Sequence, residues 1–228
     1  MLRCLLQTGP AVLALLLPAA AAGQALEDYD YENLAFRGIG IDWGYIWPSK
    51  VDATPTYSIR FDLGYLGPAV RIAPMISYWS SSLKRSELDR LADQLEQLPP
   101  LMDAGVQIDA ADLGDVDWSN LTIGVDAHVV WTAPLDIITY VGAGLGLHAL
   151  NGRGDAIDDT FIEDLLDSTI AGAALMGGIE FQPIARLRLY GEARYTLASD
   201  IRYPGIRLGA ALMLPAQPAA AGSASGGR

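Results

Sequence analysis

From Leu34 onward, apolar and polar residues alternate with a period of two. The alternation recurs eight times, near residues 34–47, 56–66, 69–79, 118–132, 135–150, 168–182, 185–198 and 202–214. Period two is the signature of a strand whose faces meet unlike surroundings, so the pattern predicts eight strands. The connections alternate in character. Leu66-Gly67-Pro68, Ala133-Pro134 and Pro183-Ile184 are short and carry proline, which blocks strand continuation and favours a turn. The remaining connections, about residues 48–55, 80–117, 151–167 and 199–201, include two long ones. Short turns at one end and long loops at the other describe an up-and-down meander with unlike ends.

The two longest loops are expected to carry short helices. Leu88, Leu91, Ala92, Leu95 and Leu98 follow helical spacing, Ser86 stands where a cap is needed, and Pro99-Pro100 stops the run. Ile157, Phe161, Ile162, Leu165 and Leu166 make a shorter stripe. Such stripes either contact a partner or lipid, or pack on the end of the sheet; the second is the reading adopted, because a surface helix usually buries its own apolar face.

Sorting each strand by parity separates two chemistries. One face is apolar, as in Ile39, Ile41, Trp43, Tyr45 and Trp47 of the first strand, or Leu121, Ile123, Val125, Ala127, Val129 and Trp131 of the fourth. The other face holds Asp42, Arg60, Asp62, Arg71, Asp126, Asp136, Glu180, Arg186, Arg188, Glu192, Arg194 and Arg207, with His128, His148 and many glycines. Arg37 is the exception, a charge on the apolar face. Six acids and six bases can be fully paired, which buried charges require.

A closed eight-stranded sheet can use these faces in two ways. A soluble lipocalin-like carrier points its apolar face inward, around an interior wide enough for side chains or one small ligand. A membrane barrel points it at lipid and pairs its charges in the lumen, where glycines make room for long arginines. Aromatic placement favours the second. Trp43, Tyr45, Trp47, Tyr57, Tyr78, Tyr195 and Tyr203 fall toward the long-loop end; Phe36, Tyr65, Trp131 and Phe181 fall toward the short turns. Two girdles suit two membrane–water interfaces, and closure removes the open edges that lipid does not tolerate. The expected fold is therefore all-β: an eight-stranded antiparallel up-and-down transmembrane β-barrel.

The strand texture of Tyr140-Val-Gly-Ala-Gly-Leu-Gly-Leu147 and of Leu187-Arg-Leu-Tyr-Gly-Glu-Ala-Arg-Tyr195 resembles the small bacterial outer-membrane β-barrels, the OmpA transmembrane domain, OmpX and OmpW among them. The likeness runs over residues 34–214. It implies termini and short turns in the periplasm and long loops outside the cell. One departure is that such barrels end on an aromatic residue, whereas here the last strand ends at Leu214 and a tail follows.

Composition then narrows the function. The chain has 228 residues, 51% hydrophobic and 18% charged, with 27 acidic and 15 basic residues and a net charge of −12. A mean hydropathy of +0.23 argues against disorder, and the acidic balance argues against nucleic acid as a partner. The single cysteine, Cys4, excludes an internal disulfide and a multi-cysteine metal site. Residues 1–25 read as a secretory signal, with Arg3 ahead of an apolar run and cleavage after Ala22 or Ala25. Residues 26–33 are an acidic periplasmic segment, and the Ala/Gly/Pro/Ser-rich residues 215–228 are a flexible tail. No later segment reaches the roughly 18 consecutive apolar residues of a spanning helix.

The acidity is concentrated in loops: nine acids against three bases over 80–117, and six against one over 151–168. Asp109, Asp112, Asp115 and Asp117 could hold a divalent cation such as calcium, but no EF-hand spacing is present and a solvated loop is the simpler reading. No G-x-S-x-G occurs, and neither His128 nor His148 has a serine two positions away on its own strand face. The expectation is a non-enzyme without cofactor. It would be a monomer in the outer-membrane bilayer, its lumen packed with charge and its acidic loops offered to a surface partner. The rival readings are an OmpW-like channel for small hydrophobic solutes, which an apolar mouth would support, and the soluble carrier.

Overall fold

The computed structural model describes residues 34–97, 111, 114–154, 166–199 and 201–214. Eight strands close into one antiparallel barrel in sequence order: β1 (Leu34–Ile46), β2 (Thr54–Gly64), β3 (Val70–Ser82), β4 (Asp117–Ala133), β5 (Ile137–Arg153), β6 (Ser168–Ile184), β7 (Leu187–Ala198) and β8 (Arg202–Met213). The barrel closes through β1 and β8, from Gly38↔Met213 to Ile46↔Gly205. A helix, α1 (Arg85–Glu96), follows β3, and Leu166, just ahead of β6, is also helical. The expected signal segment, residues 26–33, the tail from 215 and the second helical stripe other than Leu166 lie outside the described residues.

The strands form where alternation placed them, and several run longer. β3 continues to Ser82 because Ser80, Ser81 and Ser82 keep pairing with Ser119, Trp118 and Asp117. β5 continues to Arg153 opposite the same end of β4. These extensions use polar residues outside the apolar band, so periodicity alone underestimated them.

Three local expectations are corrected. Pro183-Ile184 is not the β6–β7 turn: both residues belong to β6, beside an irregularity between Phe181 and Ile184, and the turn is Ala185-Arg186. Proline is tolerated there because an irregular strand end asks for no ladder donor. Ser86 does not cap α1. Lys84 is the cap residue, without a side-chain hydrogen bond, and Ser86 lies inside the first turn. Asp136 and Arg186 do not face the lumen. Asp136 sits in the β4–β5 turn, where Leu135 (φ 68°) and Asp136 (φ 57°) are both left-handed, and Arg186 sits in the β6–β7 turn; both are exposed. Two successive positive φ values match the twist of a tight hairpin, and a turn residue no longer obeys the strand's parity.

The wall is apolar outside. Ile41, Leu145 and Leu208 are 67%, 69% and 67% exposed. On β4 the outward face is apolar from Leu121 to Trp131 and turns polar at Ser119 and Asp117. Those ten steps at about 3.3 Å each cover about 33 Å of strand, or about 25 Å of height at a tilt near 40°. That is the height of the lipid-facing band on an outer-membrane barrel. The lipocalin-like arrangement, apolar face inward, is not the one this wall adopts. Arg37, the charge on the apolar face, lies at the short-turn end with its guanidinium 5.8 Å over the Tyr65 ring.

Candidate functional site

All eight strands contribute to the lumen, and its contents change in three layers. At the short-turn half it is ionic. Arg71 from β3 holds Glu180 from β6 in a two-pronged pair, Nη1 donating to Oε2 at 2.8 Å and Nη2 to Oε1. Arg194 from β7 grips Asp126 from β4 in the same way, at 2.7 and 2.9 Å. Arg60 from β2 donates to Glu192 from β7 at 2.7 Å, and Arg188 from β7 to Asp62 from β2 at 2.9 Å. Each of these pairs joins strands three places apart around the ring, so each crosses the lumen. Two-pronged guanidinium–carboxylate contacts fix direction as well as charge.

Secondary contacts knit the pairs together. Glu180 also lies 3.5 Å from Arg188, and Glu192 lies 3.7 Å from Arg194. The Tyr140 hydroxyl donates to Glu192 at 2.8 Å and its ring lies under Arg71. Tyr190 donates to Asp42 at 3.0 Å and its ring lies under Arg60. Arg207 is the loosest member, with Nε 4.0 Å from Asp42, which accepts from Ser58 at 2.7 Å. All ten charges expected in the lumen apart from the two turn residues are thus placed there, five acids with five arginines: Asp42, Asp62, Asp126, Glu180 and Glu192, with Arg60, Arg71, Arg188, Arg194 and Arg207.

The glycines serve this packing differently from expectation. They accommodate rings more than arginine stems. A side chain at Gly209 would strike the Tyr190 ring, and one at Gly178 the Tyr140 ring; at Gly144 it would strike the Asp126 carboxylate. Tyr140 and Tyr190 were not singled out by the sequence reading, although both stand at charged-face parity, Tyr190 between Arg188 and Glu192 and Tyr140 in line with His148. That parity is the signal that could have found them.

Midway, the lumen is neutral and polar. Asn120 Nδ2 donates to Thr122 Oγ1 at 2.9 Å, and Thr122 Oγ1 lies 2.9 Å from His148 Nδ1. The hydroxyl partner of His148 comes from the neighbouring strand, through the Thr122↔His148 pairing, and a search along one strand does not find it. The trio is buried. His128 lies lower, with Nδ1 3.2 Å from Arg71 and its ring against Tyr140.

The long-loop end is apolar. Ile46, Trp79, Trp118, Leu150, Ile201 and Tyr203 project into the mouth, and Leu91, Ala92 and Leu95 of α1 descend onto them with Val51, Leu83 and Val116. Trp79 and Tyr203 meet edge to face at 6.0 Å. Tyr203 is therefore a mouth residue at 3% exposure, not the girdle residue expected; its parity on β8 matches inward Arg207. The lid is tied down by Lys84, whose Nζ donates to the Pro48 and Ser49 carbonyls at 2.8 and 3.1 Å, and by a bridge between Val51 and Leu83.

The outward aromatics stand in two groups. Trp43, Tyr57 and Tyr78 are consecutive cross-strand partners toward the long loops, and Tyr45 and Trp47 continue the group in edge contact at 5.4 Å. Tyr195 is outward on β7, between Leu175 and Pro204. Tyr65, Trp131 and Phe181 lie toward the short turns. Among the described residues no group of three or more His, Cys, Asp or Glu is placed to hold a metal ion. Of the acidic run, Asp109 and Asp112 lie outside the described residues; Asp115 is exposed, and Asp117 accepts from Ser82 at 2.7 Å.

Neisserial surface protein A (NspA) aligns over 78% of this chain and 97% of its own, with 14% identity and a TM-score of 0.51. The fold is that of the small outer-membrane β-barrels. Ail, the attachment invasion locus protein of Yersinia pestis, aligns over 79% of this chain and 99% of its own, with 11% identity and a TM-score of 0.47. The N-terminal β-barrel domain of Pseudomonas aeruginosa OprF covers 78% and 97%, with 11% identity and a TM-score of 0.44. The likeness of fold rests on the first of these. No family model matches the sequence, and no curated protein matches it.

Proposed function

We propose that the protein is a monomeric barrel of the bacterial outer membrane with a structural or surface-interaction role. Its short turns face the periplasm and its acidic long loops face outward. The observation that carries this reading is the separation of surfaces: an apolar wall of bilayer height surrounds a lumen whose charges are paired across it. A water-soluble protein exposes no such continuous apolar belt, and eight strands leave little bore once side chains fill it. The cross-lumen arginines and the overlying apolar mouth make diffusion of ions or solutes through the barrel unfavourable. The aromatic groups Trp43, Tyr45, Trp47, Tyr57, Tyr78 and Tyr195, and Tyr65, Trp131 and Phe181, serve as the two interfacial girdles. Any divalent cation or surface partner would be met by the acidic loops.

The OmpW-like reading, passage of a small hydrophobic solute, draws support from the apolar mouth. Against it, the mouth is filled by Trp79 and Leu95, at 1% and 0% exposure, and an ionic layer lies beneath. The test is fractionation followed by gel mobility with and without boiling in SDS, together with conductance across planar bilayers. The reading predicts an outer-membrane protein with a heat-dependent shift and no steady conductance. A soluble periplasmic protein without a shift would overturn it, and saturable uptake of an apolar solute would favour the channel.

A further inference from the structure

Beside the lid, the structure has a recess of about 440 Å³ between α1 and the rims of β4 and β6. Leu83, Leu91, Trp118 and Leu166 make its apolar floor, Gln94 and Ser168 add neutral polar groups, and Lys50 and Arg90 stand at its rim beside Glu87. The volume falls within the range of small-molecule sites, which combine an apolar body with a few placed polar groups.

The charge at this rim runs against its surroundings. The loop that contains α1 carries nine acids and three bases over residues 80–117, yet among the described residues that line the recess cations outnumber acids. Glu87 is the acid there, and Arg90 takes it at 2.7 Å in an ion pair. Lys50 has no carboxylate in an ion pair among the described residues; its Nζ stands 5.6 Å over the Trp118 ring. The Trp118 indole N–H is already committed to the Leu166 carbonyl at 3.2 Å, so the floor presents carbon and the rim presents positive charge. An ammonium beside an apolar floor matches a ligand with the opposite layout, an apolar body ending in one negative group.

We propose that this recess binds a small amphipathic anion, an aryl or short alkyl acid, with its body on the floor made by Leu83, Leu91, Trp118 and Leu166 and its charge at Lys50. The site needs the closed barrel and its lid, not the surface role proposed above, and it lies at the mouth, apart from the ionic layer of the lumen.

The test uses the full mature chain in phospholipid nanodiscs, after the protein has shown its heat-dependent gel shift. A failure to bind then counts against the recess and not against the barrel. The probes are naphthalene-2-sulfonate and its neutral counterpart 2-naphthol, which share a ring body and differ in charge. The readout is the Trp118 indole resonance in an amide-correlation spectrum, assigned with Trp118→Phe. The sulfonate should shift that resonance saturably and more tightly than naphthol. Lys50→Met should weaken the sulfonate by roughly five-fold, the worth of one solvent-accessible charge pair, and leave naphthol unchanged, while Lys50→Arg restores the sulfonate. Absence of a shift at millimolar probe would overturn the proposal. Equal binding of both probes, or an unaltered sulfonate affinity in Lys50→Met, would overturn the role of the charge.

Discussion

The two ends of the lumen solve one problem with opposite chemistry. Toward the short turns, the inward positions of β4 are His128 and Asp126, and those of β3 begin with Arg71; space is filled by charges that reach across to a partner. Toward the long loops the same two faces end in Trp118 and Trp79, and space is filled by rings under a helix. Between them lie Thr122, Asn120 and Ser77, neutral and hydrogen-bonding. On β4 the wall stays apolar from Leu121 to Trp131 and turns polar only beside Trp118, while the inward residues change in all three layers. The ionic half is specific, because each guanidinium fits one carboxylate geometry, and it is brittle, because removing one partner strands the other in a buried site. The apolar half tolerates truncation better, since its losses scale with area and cavity volume. The paired charges of the ionic half are themselves buried, and pairing is stronger away from water.

That contrast can be broken by mutation. The largest effect is expected from Arg194→Glu, which sets a third carboxylate against Asp126 and Glu192. The barrel should fail to fold, or unfold with a loss beyond the about 3–5 kcal/mol of removing one partner, measured by urea titration of the folded gel band. An unchanged midpoint would contradict the paired lumen. Glu180→Gln should follow, at about 3–5 kcal/mol, because both Arg71 and Arg188 lean on that carboxylate.

On the apolar side, Leu95→Ala should cost about 2–5 kcal/mol, but locally. Amide exchange in α1 should accelerate while the barrel strands keep their protection; uniform acceleration would show that lid and barrel are one cooperative unit. The smallest effect is expected at Ser86. Ser86→Ala should alter stability by less than about 0.5 kcal/mol, because its hydroxyl caps nothing; a loss of about 1 kcal/mol in the unfolding free energy would mean that it does cap.

The two halves were unequally legible in the sequence. Strand number, order and parity followed from period two, since parity decides which face a residue joins whatever its partner. The inventory of lumen charges followed too, except at Asp136 and Arg186, where the chain had already turned. Which arginine meets which carboxylate did not follow: Arg60 and Glu192 are 132 positions apart, and only closure and register bring them together. The inner aromatics were hidden for another reason. Trp79, Trp118, Tyr140, Tyr190 and Tyr203 have inward parity, but aromatic residues near strand ends read equally well as girdle. The leucine stripe of α1 predicted a helix packed on the sheet's end, and Leu91, Ala92 and Leu95 do bury there.

The most direct test of the account asks which tryptophans meet lipid. There are five: Trp43, Trp47, Trp79, Trp118 and Trp131. Trp43 is 52% exposed on the wall, and Trp79 is 1% exposed inside the mouth. Chains whose single tryptophan is Trp43 or Trp79, the other four replaced by phenylalanine, should be refolded into bilayers of brominated phospholipid and their fluorescence measured. The account predicts strong quenching of Trp43 and almost none of Trp79. Quenching of Trp79 and not of Trp43 would contradict it, turning the apolar face away from lipid.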